Sequence, residues 1–241
     1  MDVKQVDLSV VIPVYNEEDN ILPLLEEISA VLSKMGMISE ILAVNDGSTD
    51  LTLDKLNSAR KKYSNLRILN LRRNNGLSAA IDAGFKNAYG NIIVIIDADL
   101  QNDPADIPKL VSLIGENDVV CGWRKNRIDP LKKRVSSKVA NFVRNLLTSE
   151  DVHDTCCGLK AFKRESVINF KMYNGLHRFL PTLLKMEGYK IAEIPVNHRP
   201  RIMGKSKYNI GNRVFKSTYD LIAVRWMKKR WMRYREDIIN D

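Results

Sequence analysis

Two aspartates one residue apart, Asp97 and Asp99, follow the aliphatic run Ile92 to Ile96 and precede Leu100 and Gln101. Two carboxylates at the end of an apolar strand crowd negative charge into a small volume, which costs free energy unless something positive sits there. Mg²⁺ or Mn²⁺ would offset that cost, because such an ion takes one or two carboxylates and completes its shell with phosphate oxygens and water, and Gln101 offers a third protein oxygen. A plainer alternative is that one aspartate caps a helix starting at Pro104 while the other pairs with a lysine. An Asp-x-Asp pattern alone is weak evidence. Two further clusters are equally two-sided. Pro13-Val14-Tyr15-Asn16-Glu17 reads as a strand-to-helix turn capped by Asn16, or as an edge for a nucleotide base. Asn45-Asp46-Gly47-Ser48-Thr49-Asp50 reads as an Asx-turn entering a helix, or as a place where Asp46 accepts from ribose hydroxyls or a base.

The elements that must position these residues alternate along the first half of the chain. Leu8 to Val14, Glu40 to Val44, Arg67 to Leu71, Asn91 to Ile96 and Asp118 to Cys121 read as strands. Between them, apolar residues from Ile21 to Met35 recur at helical spacing. Ser48-Thr49-Asp50 supplies N-cap chemistry for a second helix. Leu77 to Tyr89 reads as a small-residue helix closed by Gly90, and Pro104 to Ile114 as a further helix. Repeated β-α-β units with unalternating apolar strands predict a mostly parallel sheet covered by helices on both faces. In such sheets ligands bind beyond the carboxyl ends of the strands, which is where Tyr15, Asp46 and Asp97 fall. In the second half, Asp129 to Leu147 reads as a basic helix, Gly158 to Phe162 and Ile191 to His198 as strands, and Arg178 to Glu187 as a helix.

The chain has 241 residues and a formal net charge of +9, and from Arg201 onward it carries 11 Lys/Arg against 4 Asp/Glu. Clustered positive charge suits nucleic acid or an anionic membrane leaflet. The final stretch, Asn212 to Tyr234, reads as an amphipathic basic helix with Phe215, Tyr219, Ile222, Trp226 and Trp231 among its cations. Indole and phenol rings favour the headgroup level of a bilayer. The competing reading packs those aromatics into the core or a dimer contact. No segment reaches the roughly 18 to 20 apolar residues of a spanning helix, and the N-terminus lacks a signal-peptide pattern. A cytoplasmic protein, peripheral on the cytoplasmic face of a membrane, is the expectation. Residues 1–210 are expected to form the catalytic domain and 211–241 a membrane-surface tail. Cys121, Cys156 and Cys157 form no even framework and no C-x-x-C pair, so they read as buried thiols. His153, His177 and His198 are scattered without metal-ligand spacing.

Together, the clusters at 13–17, 45–50 and 97–101, with Asn75-Gly76, Ala80 and Gly84, resemble the family 2 glycosyltransferases, whose fold is the nucleotide-diphospho-sugar transferase type, GT-A. A narrower likeness, to polyprenyl-phosphate glycosyltransferases of the dolichol-phosphate mannose synthase kind and their bacterial undecaprenyl-phosphate relatives, rests on the second half. Its motifs are Gly122-Trp123-Arg124, Arg134 with Ser136-Ser137, Asp154 to Gly158, Arg178 to Pro181, and Arg201 with Gly204 to Tyr208. The resemblance implies that Pro13, Tyr15, Glu17 and Asp46 line the nucleotide pocket. It implies that Asp97, Asp99 and Gln101 bind Mg²⁺ or Mn²⁺ and the donor diphosphate, and that Arg124, Arg134 and Ser137 hold an acceptor phosphate. Arg201 and Lys207 would reach phosphates from a C-terminal loop.

The reaction so implied is inverting transfer of a sugar from a GDP- or UDP-linked donor, GDP-mannose or a UDP-hexose, to a polyprenyl phosphate. Asp99, Arg124 and Arg134 are its expected catalytic residues. A phosphate acceptor, with a second pKa near ~6, is already anionic and needs positioning rather than a strong base. A separate membrane protein could recruit the enzyme. The Gln-x-x-Arg-Trp motif of processive synthases is absent. Two alternatives compete: a soluble family 2 enzyme acting on a protein or saccharide hydroxyl, which needs a carboxylate base, and a non-catalytic nucleic-acid module, which leaves Asp97 and Asp99 unexplained.

Overall fold

The structure, a computed structural model, describes residues 5–125, 153–155, 157–200 and 210–232. The order of elements is β1 (Leu8–Val14), α1 (Ile21–Leu32), β2 (Ser39–Asn45), α2 (Thr52–Lys62), β3 (Leu66–Asn70), α3 (Leu77–Asn87) and β4 (Ile92–Ile95). A 3₁₀ turn (Pro104–Asp106), α4 (Ile107–Val111) and β5 (Val119–Trp123) follow. After them come β6 (Lys160–Lys163), α5 (Arg164–Val167), a second 3₁₀ turn (Leu176–Phe179), α6 (Leu180–Met186), β7 (Ile191–Pro195) and α7 (Ile210–Arg230). The helix predicted over 129–147 lies outside the described residues.

The seven strands form one sheet in the order β3-β2-β1-β4-β6-β5-β7. It is parallel except at β6, which runs antiparallel to both β4 and β5. Every residue of β1 is buried, as a strand covered on both faces requires. Alternation along the strands sends side chains into two cores. Val10, Ile12 and Val14 join Ile21, Leu24 and Ile28 of α1 on one side. Val11 and Leu42 join Phe85 of α3, Leu180 and Leu184 of α6, and Leu221 and Val224 of α7 on the other. Phe85 and Phe162 meet edge-to-face, their centroids 5.2 Å apart. Truncating either to alanine would cost on the order of 3–5 kcal/mol. Gly84 lets α3 press onto β1, since a Cβ there would sit 2.3 Å from Val11 Cγ1.

Several boundaries differ from the sequence expectation, each for a local reason. The segment 104–114 is not one helix. A short α4 begins at Ile107 after a separate turn, with Pro108 in its first turn, and buried Asp106 accepts from Asn197 N–H at 2.6 Å, tying that turn to the chain beyond β7. Helix α3 stops at Asn87, because Ala88 is already extended, so Gly90 does not close it. Instead Gly90 passes against β1, with its N–H donating to Ser9 Oγ at 2.7 Å. Helix α7 ends at Arg230, leaving Trp231 and Met232 beyond it.

Candidate functional site

Strands β1, β2, β3, β4, β5 and β7 all end at one rim of the sheet, and antiparallel β6 begins there. The loops after β1 and β2 are stitched together across that rim. Asn16, at φ 50°, donates its N–H to Ser48 Oγ at 2.9 Å and accepts from Thr49 N–H at 2.8 Å. Glu17 N–H donates to Thr52 Oγ1 at 2.9 Å, while the Glu17 carboxylate accepts from Asn20 Nδ2 at 2.7 Å. Ser48 and Thr49, expected to cap the second helix, are thus spent on the neighbouring loop. Helix α2 starts only at Thr52, whose N–H goes to Asp50 Oδ1 at 3.0 Å. Likewise Asn16 does not cap the first helix; Asn20 holds that position.

Asp46 is 2 % exposed. Its Oδ1 accepts from Asn75 N–H at 2.8 Å, and its Oδ2 accepts from Gly76 N–H at 2.8 Å and Asn74 Nδ2 at 2.9 Å. The carboxylate therefore shapes the turn that leads into α3. Gly47, at φ +65°, lies so close to Arg73 that a Cβ would fall 2.3 Å from its carbonyl carbon. Tyr15 and Glu17 are half-buried on the β1 loop, whereas Pro13 is buried inside β1, one residue short of the strand's end.

Asp97 and Asp99 follow β4 and are half-buried. Neither caps the next turn. Asp103 does so, accepting from Ala105 N–H at 3.0 Å. Asp99 Oδ1 accepts from Gln101 N–H at 3.2 Å, across Leu100 at φ 58°. The backbone of Gly158, just before β6, lies against the other aspartate: a Cβ there would be 2.0 Å from Asp97 Oδ2. Gln101 Nε2 lies 3.5 Å from Nε2 of buried His198, and Gln101 O accepts from Arg199 N–H at 2.9 Å. Spacing along the chain gave no hint of His198, which only sheet closure brings to Gln101. Among the described residues no group of three or more His, Cys, Asp or Glu converges as a cage. Two half-buried carboxylates at the rim are a donor set of the kind a hard divalent ion takes when diphosphate and water complete its shell.

Arg124 follows β5 and pairs side-on with buried Asp154. Its Nε donates to Oδ2 at 2.7 Å and its Nη2 to Oδ1 at 3.0 Å. Asp154 and Gly158 lie four residues apart, so one short loop reaches both Arg124 and Asp97. Neither residue had a role assigned from sequence, and what joins them to the site is contact across the rim. Arg134, Ser137, Arg201 and Lys207 lie outside the described residues. Burial pushes the Cys121 thiol up to about 12, and burial also raises Cys157, so neither of these two is a ready thiolate near pH 7.

A mostly parallel α/β sheet with paired aspartates at the mouth of its central strands is the layout of a GT-A sugar-nucleotide transferase. Glucosyl-3-phosphoglycerate synthase from Mycobacterium tuberculosis, solved with Mn²⁺, UDP and phosphoglyceric acid, shares this fold with a TM-score of 0.70 at 22% identity, over 95% of this chain and 80% of that one. The chain belongs to glycosyl transferase family 2, whose model matches residues 9–170. Dodecaprenyl-phosphate galacturonate synthase from Rhizobium johnstonii is 38% identical over 97% of this chain and 69% of its own length. Undecaprenyl-phosphate 4-deoxy-4-formamido-L-arabinose transferase from Salmonella paratyphi A is 36% identical over 90% of this chain and 66% of its own. The chain is therefore a family 2 glycosyltransferase similar to polyprenyl-phosphate sugar transferases, and it spans about two thirds of the length of these curated relatives.

Proposed function

We propose that this enzyme moves a sugar from a nucleoside-diphosphate sugar to a polyprenyl phosphate at an anionic membrane surface, with inversion at the anomeric carbon. The observation that carries the reading is the loop at 153–159, which meets Asp97 through Gly158 and Arg124 through Asp154. Donor and acceptor phosphates would then be held on two sides of one loop.

Asp97, Asp99 and Gln101 would hold Mg²⁺ or Mn²⁺ together with the donor diphosphate. When bound, the ion supplies charge stabilisation for the departing nucleoside diphosphate. Tyr15 and Glu17 would border the base, and Asp46 would act by fixing the 74–76 turn. Arg124 would meet the acceptor phosphate, whose oxygen is already anionic and attacks from the face opposite the diphosphate. Arg134, Ser137, Arg201 and Lys207 complete this reading as phosphate contacts. A hydroxyl acceptor would need a carboxylate base instead. Asp154 is poorly suited to that task, because Arg124 engages both of its oxygens.

Helix α7 supports the membrane side of the reading. Leu221 and Val224 are 7 % and 0 % exposed, whereas Tyr219, Ile222 and Trp226 are 76 %, 58 % and 63 % exposed. Positions i, i+3 and i+7 share a helix face, so an apolar stripe faces outward beside Arg225, Lys229 and Arg230. Lipid headgroups of negative charge match such a stripe. Among the described residues no helix is long and apolar enough to cross a membrane.

The test is transfer of label from UDP- and GDP-linked sugars into the organic phase, with undecaprenyl or dolichyl phosphate and Mg²⁺ or Mn²⁺ present. Asp99→Ala is expected to lower turnover by about a thousandfold with an unchanged circular dichroism spectrum. Label moving only to water-soluble acceptors would overturn the lipid-phosphate reading. Near-normal turnover in Asp99→Ala would overturn the metal role.

A further inference from the structure

Glu193 lies on edge strand β7, opposite Cys121 of β5, and its side chain is 14 % exposed. Its carboxylate is aimed at the loop rather than at solvent. His153 N–H donates to Oε1 at 3.1 Å and to Oε2 at 3.0 Å, and Asp154 N–H donates to Oε1 at 3.3 Å. Nδ1 of His153 lies 3.0 Å from Oε2, and the imidazole stacks on Trp123 at 4.4 Å between centroids. One carboxylate thus grips two consecutive backbone amides, and the second of them belongs to the residue whose side chain grips Arg124.

We infer that Glu193 is a positioning residue for the acceptor phosphate, acting through Asp154 on Arg124; this rests on the acceptor reading given above. A guanidinium is planar, so side-on engagement at Nε and Nη2 fixes both its plane and its direction. Asp154 can do this only if its own backbone is held, because a carboxylate on a loose loop would swing with the loop. Glu193 supplies that hold from a paired strand. It is a rigid support, and small errors in such supports are amplified at the reacting centre. Glu193 grips the loop at 153–154, the end that holds Arg124, and not at 158, the end against Asp97, so its effect should fall on the acceptor.

The experiment is a double-mutant cycle on the full chain with Glu193→Ala, Asp154→Ala and the double variant. KM for polyprenyl phosphate, KM for the sugar nucleotide and kcat are measured for each. Glu193→Ala is expected to raise the acceptor KM by about 10- to 100-fold, the usual effect of losing a group that supports a ligand-binding side chain. Donor KM should stay within about twofold of wild type. The double variant should be no worse than Asp154→Ala, because both changes break the same chain of contacts. Glu193→Gln, which keeps one oxygen able to accept an amide, should fall between wild type and Glu193→Ala and keeps the test open should the alanine variant misfold. Additive effects in the cycle, or equal rises in both KM values, would overturn the inference. A wild-type enzyme that transfers nothing to polyprenyl phosphate would instead overturn the acceptor reading, so the two failures are distinguishable.

Discussion

Gly158 shows how much one missing methyl group can matter. Its backbone occupies the space beside Asp97 in which a Cβ would collide with both carboxylate oxygens, at 2.0 and 2.8 Å. The neighbour that would have to yield is a short side chain at the rim, not a long flexible one. Gly158→Ala is therefore expected to turn Asp97 aside and to lower kcat by about a hundredfold, while the melting temperature moves by only a few degrees; unchanged kcat would show that Asp97 is not held by this contact. Asp97 and Asp99 were legible from sequence because a strand end and a spacing of two place them together. Glu193 and His198 were not, because their partners lie 39–40 and 97 residues away. No local pattern encodes a contact made by sheet closure. Asp46 is an intermediate case. Its position at the end of β2 was readable, but its use as an acceptor for the 74–76 turn was visible only once the fold brought Asn75 and Gly76 to it.

Among the elements, strands were read closely and helix ends less so. Apolar runs buried on two faces announce themselves, as β1 does, whereas the starts of α2 and α4 are set by tertiary hydrogen bonds to neighbouring segments and α3 ends where Ala88 turns extended. The reversed direction of β6 was not legible either, because a short buried strand reads the same in both directions. In helix α7, Leu221 and Val224 pack into the core while Tyr219 and Trp226 stay exposed. Trp226→Glu is accordingly expected to leave the melting temperature unchanged and to weaken binding to vesicles containing anionic lipid by about 10- to 100-fold, the worth of one large apolar side chain. Vesicle co-sedimentation checks this, and wild-type binding in that variant would assign the stripe to some other contact.

At the scale of the whole molecule, the far side of the sheet is fastened by charge. Asp118 accepts from Lys163 Nζ at 2.7 Å and from Lys190 N–H at 2.8 Å, joining the entries of β5 and β7 to the end of β6. The Lys163 ammonium, aided by the Lys190 amide, holds this carboxyl below its ordinary 3.8. A depressed carboxyl pKa stabilises the fold above the unfolded value and loses that contribution as pH falls through the folded one. Asp118→Asn should thus melt earlier than wild type near pH 7, by the equivalent of about 1 kcal/mol for a partly solvated pair. The gap should close in acid, once pH drops below about 3.8 and on through the lower folded value. Melting curves across pH check this, and a gap that persists undiminished at the acid end would assign the loss to packing.

Because β6 enters the sheet backwards, the chain leaves the rim after Trp123 and returns to it before Lys160. Both points are fixed by the ladder pairing of β5 with β6. On the returning side Cys157 and Leu159 are already buried in a core and Asp154 and Gly158 are already engaged, so any change of length has to fall ahead of them. Descendants of one ancestral scaffold could in this way exchange residues 126–152 like a cartridge while the pairing of β5 with β6 stays as it is.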